Sequence, residues 1–334
     1  MKKRKDGYYQ KKLIINNEPI HFYGKTQAEI FRKIQEYKEP IEKGITFKEA
    51  AEAWKEHHYE NISYTTQKGY STAYNRAIER FGEEHIKEIT TQEIQEYINE
   101  LIKKKYSHKT VKTHLLIISL VMKNNYKHVP LNPCMNVNVP KNLPKTKRLL
   151  PSEEEIEKVK NSCDKHFGFF AYLLLYTGLR RGEALALKWD DIDTNKNVVR
   201  VNKSVYFKNN QAFVKTPKTV SGNRDVILID VIKSKKIKQK GYIFQNEKGL
   251  LSEQAFRLSW KRYLNESGVT ITPHQLRHAF ATLLYDAGID VKTAQYMLGH
   301  ANAQTTLDIY THISESRQSD TQKKLNEYIN EKIV

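Results

Sequence analysis

The chain has 334 residues, and 56 Lys and Arg against 38 Asp and Glu leave it a formal charge of +18 at neutral pH. That length suits two or three domains, and that excess implies a polyanionic partner, nucleic acid ahead of an anionic membrane surface. No run nears the roughly 18 apolar residues of a membrane span, the basic start Met1-Lys2-Lys3-Arg4-Lys5 meets no apolar signal core, and Cys134 and Cys163 alone build no disulfide framework or Cys-rich zinc site.

Residues 1–43 read as a small separate unit. Tyr8 to Ile15 and Pro19 to Tyr23 have strand composition, with Asn16-Asn17 as the turn between them. Thr26-Gln27-Ala28-Glu29 is a capping box that opens a helix through about Tyr37. The unit carries eleven basic residues against six acidic ones. Lys2, Lys3, Arg4, Lys5, Lys11 and Lys12 are its candidate DNA contacts; a solvated basic face is the plainer reading.

Residues 44–128 read as helical throughout. Thr46-Phe47-Lys48-Glu49 is a second capping box, followed by an apolar stripe of Phe47, Ala50, Ala51 and Trp54. Tyr70, Tyr74, Ile78 and Phe81 repeat the stripe on a second helix. Thr90-Thr91-Gln92-Glu93 opens a third, and Val111, Leu115, Ile118 and Met122 mark a fourth. Four short amphipathic helices make one bundle.

Five of the nine prolines fall at 130, 133, 140, 144 and 151, so residues 129–151 read as a linker. Lys145, Lys147 and Arg148 make it basic and extend the candidate DNA-binding set.

Residues 152–334 form the largest part. Ser152-Glu153-Glu154-Glu155 caps a helix, and Phe169, Phe170, Leu173, Leu174 and Leu175 mark a buried one. Strands are expected at 198–202, 203–207, 211–215 and 225–229, then helices near 252–266, 273–287, 290–298 and 303–313.

Four constellations in this part carry chemistry. Thr177-Gly178-Leu179-Arg180-Arg181-Gly182-Glu183 ends one helix and sets Arg180 at the start of the next, where a guanidinium beside free N–H groups suits a phosphate. In Thr272-Pro273-His274-Gln275-Leu276-Arg277-His278, a capped helix start places His274, Arg277 and His278 on one face, an oxyanion-binding arrangement. Leu276, Phe280, Leu283 and Leu284 take the core face. A metal site fails there for want of nearby carboxylate or Cys ligands. Leu298-Gly299-His300 ends a further helix, and Tyr310 lies on the next. Lys218 sits between two expected strands, with Lys215 as its rival.

In that order and spacing the set resembles the tyrosine recombinases, the phage-integrase family of site-specific DNA recombinases. Their pattern is an Arg in T-G-x-R, a Lys on a β-hairpin, H-x-x-R, a His in L-G-H, then a Tyr about ten residues on. The motifs span 177–310, and the layout extends the likeness over nearly the whole chain. Residues 1–43 resemble the arm-type DNA-binding domain of integrases from Gram-positive prophages and integrative conjugative elements, and 44–128 the core-binding domain. The fold implied is multidomain and mainly α with small β-sheets: a small N-terminal sheet plus helix, a four-helix bundle, and a mixed α+β catalytic domain at 152–334.

The resemblance implies transesterification with Tyr310 as nucleophile and a 3′-phosphotyrosyl intermediate, so that no ATP is needed. Arg180 and Arg277 would hold the nonbridging oxygens, His300 would add a hydrogen bond, Lys218 would protonate the leaving 5′-oxygen, and His274 would help move the tyrosine proton. Neighbouring cations would favour the phenolate, and Glu183 would orient an arginine. No cofactor or metal is implied. The partners implied are double-stranded attachment-site DNA and three further copies in a tetramer, with an excision factor and a host DNA-bending protein as accessories and no membrane. The tail from Ser314, with Leu325, Tyr328 and Ile329 at helical spacing, would dock on a neighbouring subunit, with docking on its own domain as the plainer reading. The location implied is cytoplasmic, on the nucleoid. The alternatives are a Xer-like resolvase or invertase of the same chemistry, and a non-catalytic sequence-specific DNA-binding protein on this scaffold. A type IB topoisomerase shares the chemistry but lacks the arm-like unit and the bundle.

Overall fold

A strand shows alternate side chains to opposite faces, and the first unit uses that alternation at once. In the computed structural model of the chain, β1 (Lys2–Lys3), β2 (Tyr9–Ile15) and β3 (Glu18–Gly24) pair antiparallel in that order. The structure describes all residues except 1, 5, 16–17, 126, 128, 130, 145–149, 218–221, 234–239, 248, 317–328 and 331–334. The turn expected at Asn16-Asn17 therefore lies outside the described residues. Phe22 of β3 is buried with Ile30 and Ile34 of α1 (Gln27–Lys43) in a small apolar cluster. The Thr26 hydroxyl accepts from the Glu29 N–H at 3.1 Å and the Glu29 carboxylate accepts from the Lys25 N–H at 2.7 Å, which starts α1. The helix runs to Lys43 rather than Tyr37, through Pro40; a proline removes one backbone donor there without ending it.

The bundle comprises α2 (Phe47–Glu60), α3 (Tyr64–Phe81), α4 (Thr91–Lys103) and α5 (His108–Asn124). Thr46, Ser63, Thr90 and Ser107 cap them in turn, Thr46 and Thr90 through complete capping boxes. The expected stripes are the core: Phe47, Ala50, Ala51, Trp54, Tyr74, Phe81, Val111, Ile118 and Met122 are buried. Tyr70, Ile78 and Leu115 pack half-buried at its rim.

Part of the proline-rich stretch, around residues 133–143, packs on this bundle. Cys134, in a short 3₁₀ turn at Pro133–Asn136, and Leu143 are buried in the bundle's core. The Thr91 hydroxyl donates to the Pro133 carbonyl at 2.8 Å, and Gln95 both accepts from the Asn138 N–H (2.8 Å) and donates to its carbonyl (3.1 Å). Side chains of the bundle thus satisfy backbone groups that proline-rich sequence leaves without helix or sheet partners.

His114 is buried between α4 and α5, sharing a 2.7 Å hydrogen bond with Tyr97 Oη. Burial, then the charge of Arg76, pulls its pKa down to about 4. An unfolded His takes up a proton near pH 6.5, so below that the unfolded state binds more protons and stability falls with pH. The loss expected at pH 5 is about 2 kcal/mol. Urea midpoints of the full chain between pH 7 and 5 check this, with a flatter dependence expected for His114→Gln.

The second compact unit spans Arg148–Val334, the first Met1–Lys147. In chain order it holds α6 (Glu153–Lys160), α7 (Gly168–Thr177), α8 (Arg181–Ala186), β4 (Ile192–Asp193), β5 (Val198–Val201), β6 (Ser204–Lys208), β7 (Gln211–Lys215), β8 (Arg224–Ile227) and α9 (Asp230–Lys233). Then follow β9 (Gln245–Asn246), β10 (Gly249–Leu250), α10 (Glu253–Ser267), α11 (Pro273–Asp286), α12 (Val291–Leu298) and α13 (Ala303–Ser316). Apolar residues occupy every side of α7, and Phe170, Ala171, Leu173, Leu174 and Leu175 are fully enclosed. A helix without a polar face must sit at the centre, and α11 packs directly on it. Strands β4, β5 and β8 form one antiparallel sheet and β6–β7 a separate hairpin. Leu276, Phe280 and Leu284 of α11 face the core as expected, whereas Leu283 is 36% exposed, at the edge of the stripe. No described helix is long and apolar enough to cross a membrane.

Candidate functional site

Helix α7 stops at Gly178, whose φ of +62° suits glycine and whose N–H donates to the Leu174 carbonyl at 3.0 Å. Two residues on, Arg180 occupies the N-cap of α8 with no hydroxyl to cap it. Glu183 supplies the cap from inside the helix, accepting from the Arg180 N–H at 2.8 Å. Its other oxygen accepts from Arg180 Nη1 at 2.8 Å, and Arg180 Nη2 donates to the Gly299 carbonyl at 2.6 Å.

Arg277 is 4% exposed on the first turns of α11. Its Nη1 donates to the Gly178 carbonyl at 2.6 Å and its Nη2 to the Leu298 carbonyl at 2.5 Å. Burial first, then Arg180, pulls its pKa down to about 9; Glu183 pulls it back up and Arg224 lowers it further, so it stays charged at neutral pH.

A third arginine completes the group. Arg224 opens β8, its side chain fully buried. Its Nε donates to the Met297 carbonyl at 2.9 Å, and Nη1 and Nη2 donate to the two Glu183 oxygens at 3.2 and 2.9 Å. Three successive carbonyls at the C-terminal end of α12, those of Met297, Leu298 and Gly299, thus each accept from a different arginine. These are carbonyls that a helix end leaves without internal partners, at the negative pole of its dipole. Burial would raise the Glu183 carboxyl, but the hydrogen bonds and charges of Arg224 and Arg180 outweigh it and hold it below the usual carboxylate range. Three guanidinium charges against one carboxylate leave the cluster at +2.

His300 follows directly. Its Nδ1 shares a 2.8 Å hydrogen bond with the Thr306 hydroxyl, and its carbonyl accepts from Gln295 Nε2 at 3.0 Å. Burial, then Arg277 and Arg180, pulls its pKa down to about 3, so at neutral pH it is an uncharged imidazole. In the tautomer that accepts from the Thr306 hydroxyl at Nδ1, Nε2 carries the proton and is a donor. His274 is exposed and pairs with His278, Nε2 to Nε2, at 2.9 Å, which requires one ring to accept. Arg277 therefore turns into the core while the two histidines of the same helix meet each other outside.

Tyr310 lies elsewhere. It is 6% exposed on α13, donates to the Ile289 carbonyl at 3.2 Å, and stands edge-on to Tyr285 at 5.1 Å. Burial, then the negative charge of Asp290, pushes its pKa up to about 12. The expectation that neighbouring cations favour its phenolate is corrected here: the arginines bond to the far end of α12 and the phenol rests against a backbone carbonyl. Lys218 lies outside the described residues. Its rival Lys215 ends β7 with its ammonium 5.5 Å over the Tyr206 ring.

The basic residues of the first unit separate by strand parity. Lys3 and Lys11 place their ammonium groups over Tyr9 (5.7 Å) and Phe31 (5.4 Å), on the helix side. Lys12 pairs with His21 across the ladder on the opposite face, where Arg4 lies 5.3 Å over Tyr23. Lys2 lies in β1; Lys5, Lys145, Lys147 and Arg148 lie outside the described residues, as do Leu325 and Tyr328 of the tail. Among the described residues no three His, Cys, Asp or Glu side chains gather as a metal site.

The sequence reading missed Arg224, although the signal was present. Val226 and Leu228 point inward from the expected strand at 225–229, and the same alternation carries Arg224 inward.

The model of the phage integrase family matches residues 147–317, and that of its N-terminal SAM-like domain matches residues 51–128. A XerC-like tyrosine recombinase of Caldanaerobacter subterraneus subsp. tengcongensis is 29% identical over 92% of this chain and 91% of its own length. The ICEBs1 integrase of Bacillus subtilis is 29% identical over 82% of this chain and 79% of its own. The tyrosine recombinase XerA of Saccharolobus solfataricus is 30% identical over 74% and 82%. Among solved structures, the Tn1549 transposon integrase in complex with a circular intermediate DNA superposes with a TM-score of 0.66 at 20% identity, covering 84% of this chain and all of that one. A lambda integrase dimer bound to a COC′ core site gives 0.62 at 18% identity, over 92% of this chain and 93% of the other. With its own family model across more than half of its length and a relative 30% identical over 74% of it, the chain belongs to the phage integrase family of tyrosine recombinases, enzymes that cut and rejoin DNA at specific sites.

Proposed function

We propose that this recombinase is the integrase of a mobile genetic element, joining that element to a host chromosome and excising it through a 3′-phosphotyrosyl intermediate. The observation that carries the reading is the gathering of Arg180, Arg277 and neutral His300 at one end of α12 with a net charge of +2. A phosphodiester brings one negative charge and approaches two as a fifth oxygen bonds, so the cluster favours the transition state over the ground state. Arg180 and Arg277 hold the nonbridging oxygens, and His300 donates through Nε2. Tyr310 Oη forms the new bond to phosphorus as the bond to the 5′-oxygen breaks. His274, through its contact with His278, takes part in moving the phenol proton, and Lys218 returns a proton to the 5′-oxygen. Tyr310 must first leave the Ile289 carbonyl, so engagement of DNA precedes activation of the nucleophile.

The N-terminal sheet and helix, residues 1–43, act as the arm-type DNA-binding domain, with Lys12 and Arg4 on the open sheet face. Residues 44–128 bind the core site, 129–151 connect, and 152–334 catalyse. Four copies assemble on paired sites, with an excision factor and a DNA-bending protein of the host setting direction, on the nucleoid in the cytoplasm. The ICEBs1 integrase among the relatives supports the mobile-element reading; the XerC-like relative supports a second, resolution of replicon dimers.

Denaturing gels of labelled DNA from both ends of the element, incubated with wild type and with Tyr310→Phe, test the reading. A covalent band in the wild type alone, with DNA binding retained by the variant, is expected. Cleavage by Tyr310→Phe at the wild-type rate overturns the nucleophile. A band only on a chromosomal resolution site selects the second reading.

A further inference from the structure

Arg180 and Arg277 account for the phosphate, and neither is the most enclosed guanidinium in the site. That is Arg224, which is fully buried and sits where no DNA can reach it. We propose that Arg224 is a positioning residue for the reaction: by gripping Glu183 with both arms and the Met297 carbonyl with its Nε, it holds Arg180 in place for the scissile phosphate. The inference rests on the reading of Arg180 as a phosphate ligand.

The geometry gives the reason. Glu183 touches Arg180 twice, at the backbone N–H and at Nη1, so wherever the carboxylate sits, Arg180 sits. Paired with Arg180 alone, the carboxylate would cancel its charge and draw it away from a ligand. Arg224 takes up that negative charge from the buried side. The Arg180 side chain remains 44% exposed, and the one carboxylate it touches is shared with Arg224, so its charge is only partly offset. The Nε bond to Met297 ties the same guanidinium to the end of α12, whose next two carbonyls hold Arg277 and Arg180. One planar group therefore sets the distance between the start of α8 and the end of α12. The fit is close: a Cβ on Gly299, which has φ +64°, would stand 2.7 Å from Arg224 Nη1. A lysine has one point charge and no fixed fork, so it cannot make the same three contacts in one plane.

The test compares single-turnover cleavage of DNA carrying an ordinary phosphate or a neutral methylphosphonate at the cleavage position. A neutral centre needs less cationic support, so a variant with a weakened hold on the nonbridging oxygens loses less on it. Arg224→Lys, Arg224→Gln and Arg180→Ala are assayed in the full chain, with mobility shifts for DNA affinity. The paired Glu183→Leu/Arg224→Met variant replaces both buried charges together and so preserves folding where a single change does not. The result expected is cleavage of phosphate DNA at least tenfold slower at unchanged affinity in the Arg224 variants and the pair. The defect should shrink on methylphosphonate DNA in the proportion seen for Arg180→Ala. Equal slowing on both substrates, while Arg180→Ala is relieved, makes Arg224 merely structural and overturns the proposal. If Arg180→Ala is itself not relieved, the phosphate reading of Arg180 fails, and the role of Arg224 fails with it.

Discussion

Arg277→Lys is expected to slow strand cleavage by about 10²- to 10³-fold, the effect of removing one preorganised donor from a site where charge develops. Two of the five N–H groups of this guanidinium anchor it, one on Gly178 and one on Leu298. Its planar fork can hold both carbonyls and still turn an edge to a phosphate oxygen. An ammonium keeps the charge but has neither the reach nor the geometry to do all three. Both carbonyls are then left short of a partner, each at a cost of about 1–3 kcal/mol where buried, and the charge shifts from its place. DNA affinity should change little, because one phosphate among many contributes a small share of binding to a protein of this charge. Single-turnover cleavage at saturating protein, beside mobility shifts, separates the two quantities. A variant that cleaves within a few-fold of wild type would remove Arg277 from the site.

Gly178→Ala should strongly destabilise the second unit. At φ +62° an alanine is strained, and its Cβ would lie 2.2 Å from Cδ1 of Phe280 and 3.1 Å from Cδ2 of Leu298. Both neighbours are buried core residues on α11 and α12. Left-handed strain of about 1 kcal/mol and overpacking of about 1–3 kcal/mol combine to roughly 3 kcal/mol. In a domain of this size that is a fall in melting temperature of about 6–12 °C. The Gly178 carbonyl also anchors Arg277, so the surviving folded protein should cleave slowly as well. Thermal melts give the first effect and cleavage per folded molecule the second.

Much of the fold was readable because local chemistry announced it. Thr46, Thr90, Ser152 and Thr272 each precede a Glu or Gln by three residues, and each starts a helix through a capping box. The strand at 211–215 was read to the residue, from its branched and aromatic composition. Strands β1, β4, β9 and β10 have two residues each, too few for any alternation to show. The proline-rich stretch reads as a linker from composition, which records backbone stiffness; the side chains of Thr91 and Gln95 that hold part of it carry no such signal. In the site, Arg180, Arg277 and His300 could be picked out from motif order, but their common anchor could not. Carbonyls carry no sequence signal, and the convergence of β8 with α12 is a matter of tertiary packing. The burial of Tyr310 was likewise invisible, since its neighbours Ile289 and Tyr285 lie more than twenty residues away in the chain.

Helix α12 acts as a ruler. The phenol of Tyr310 rests on the carbonyl just before its first turn, and the three guanidinium groups rest on the carbonyls of its last. At 1.5 Å of rise per residue, eight residues put the carbonyl that holds the phenol about 12 Å along the axis from those that hold the guanidinium groups. On the reading of Tyr310 as nucleophile, its hydroxyl must leave the Ile289 carbonyl and close that separation before any bond is made. One short helix therefore holds the phenol at one end and gathers the three guanidinium groups at the other, so a shift of α12 is felt at both.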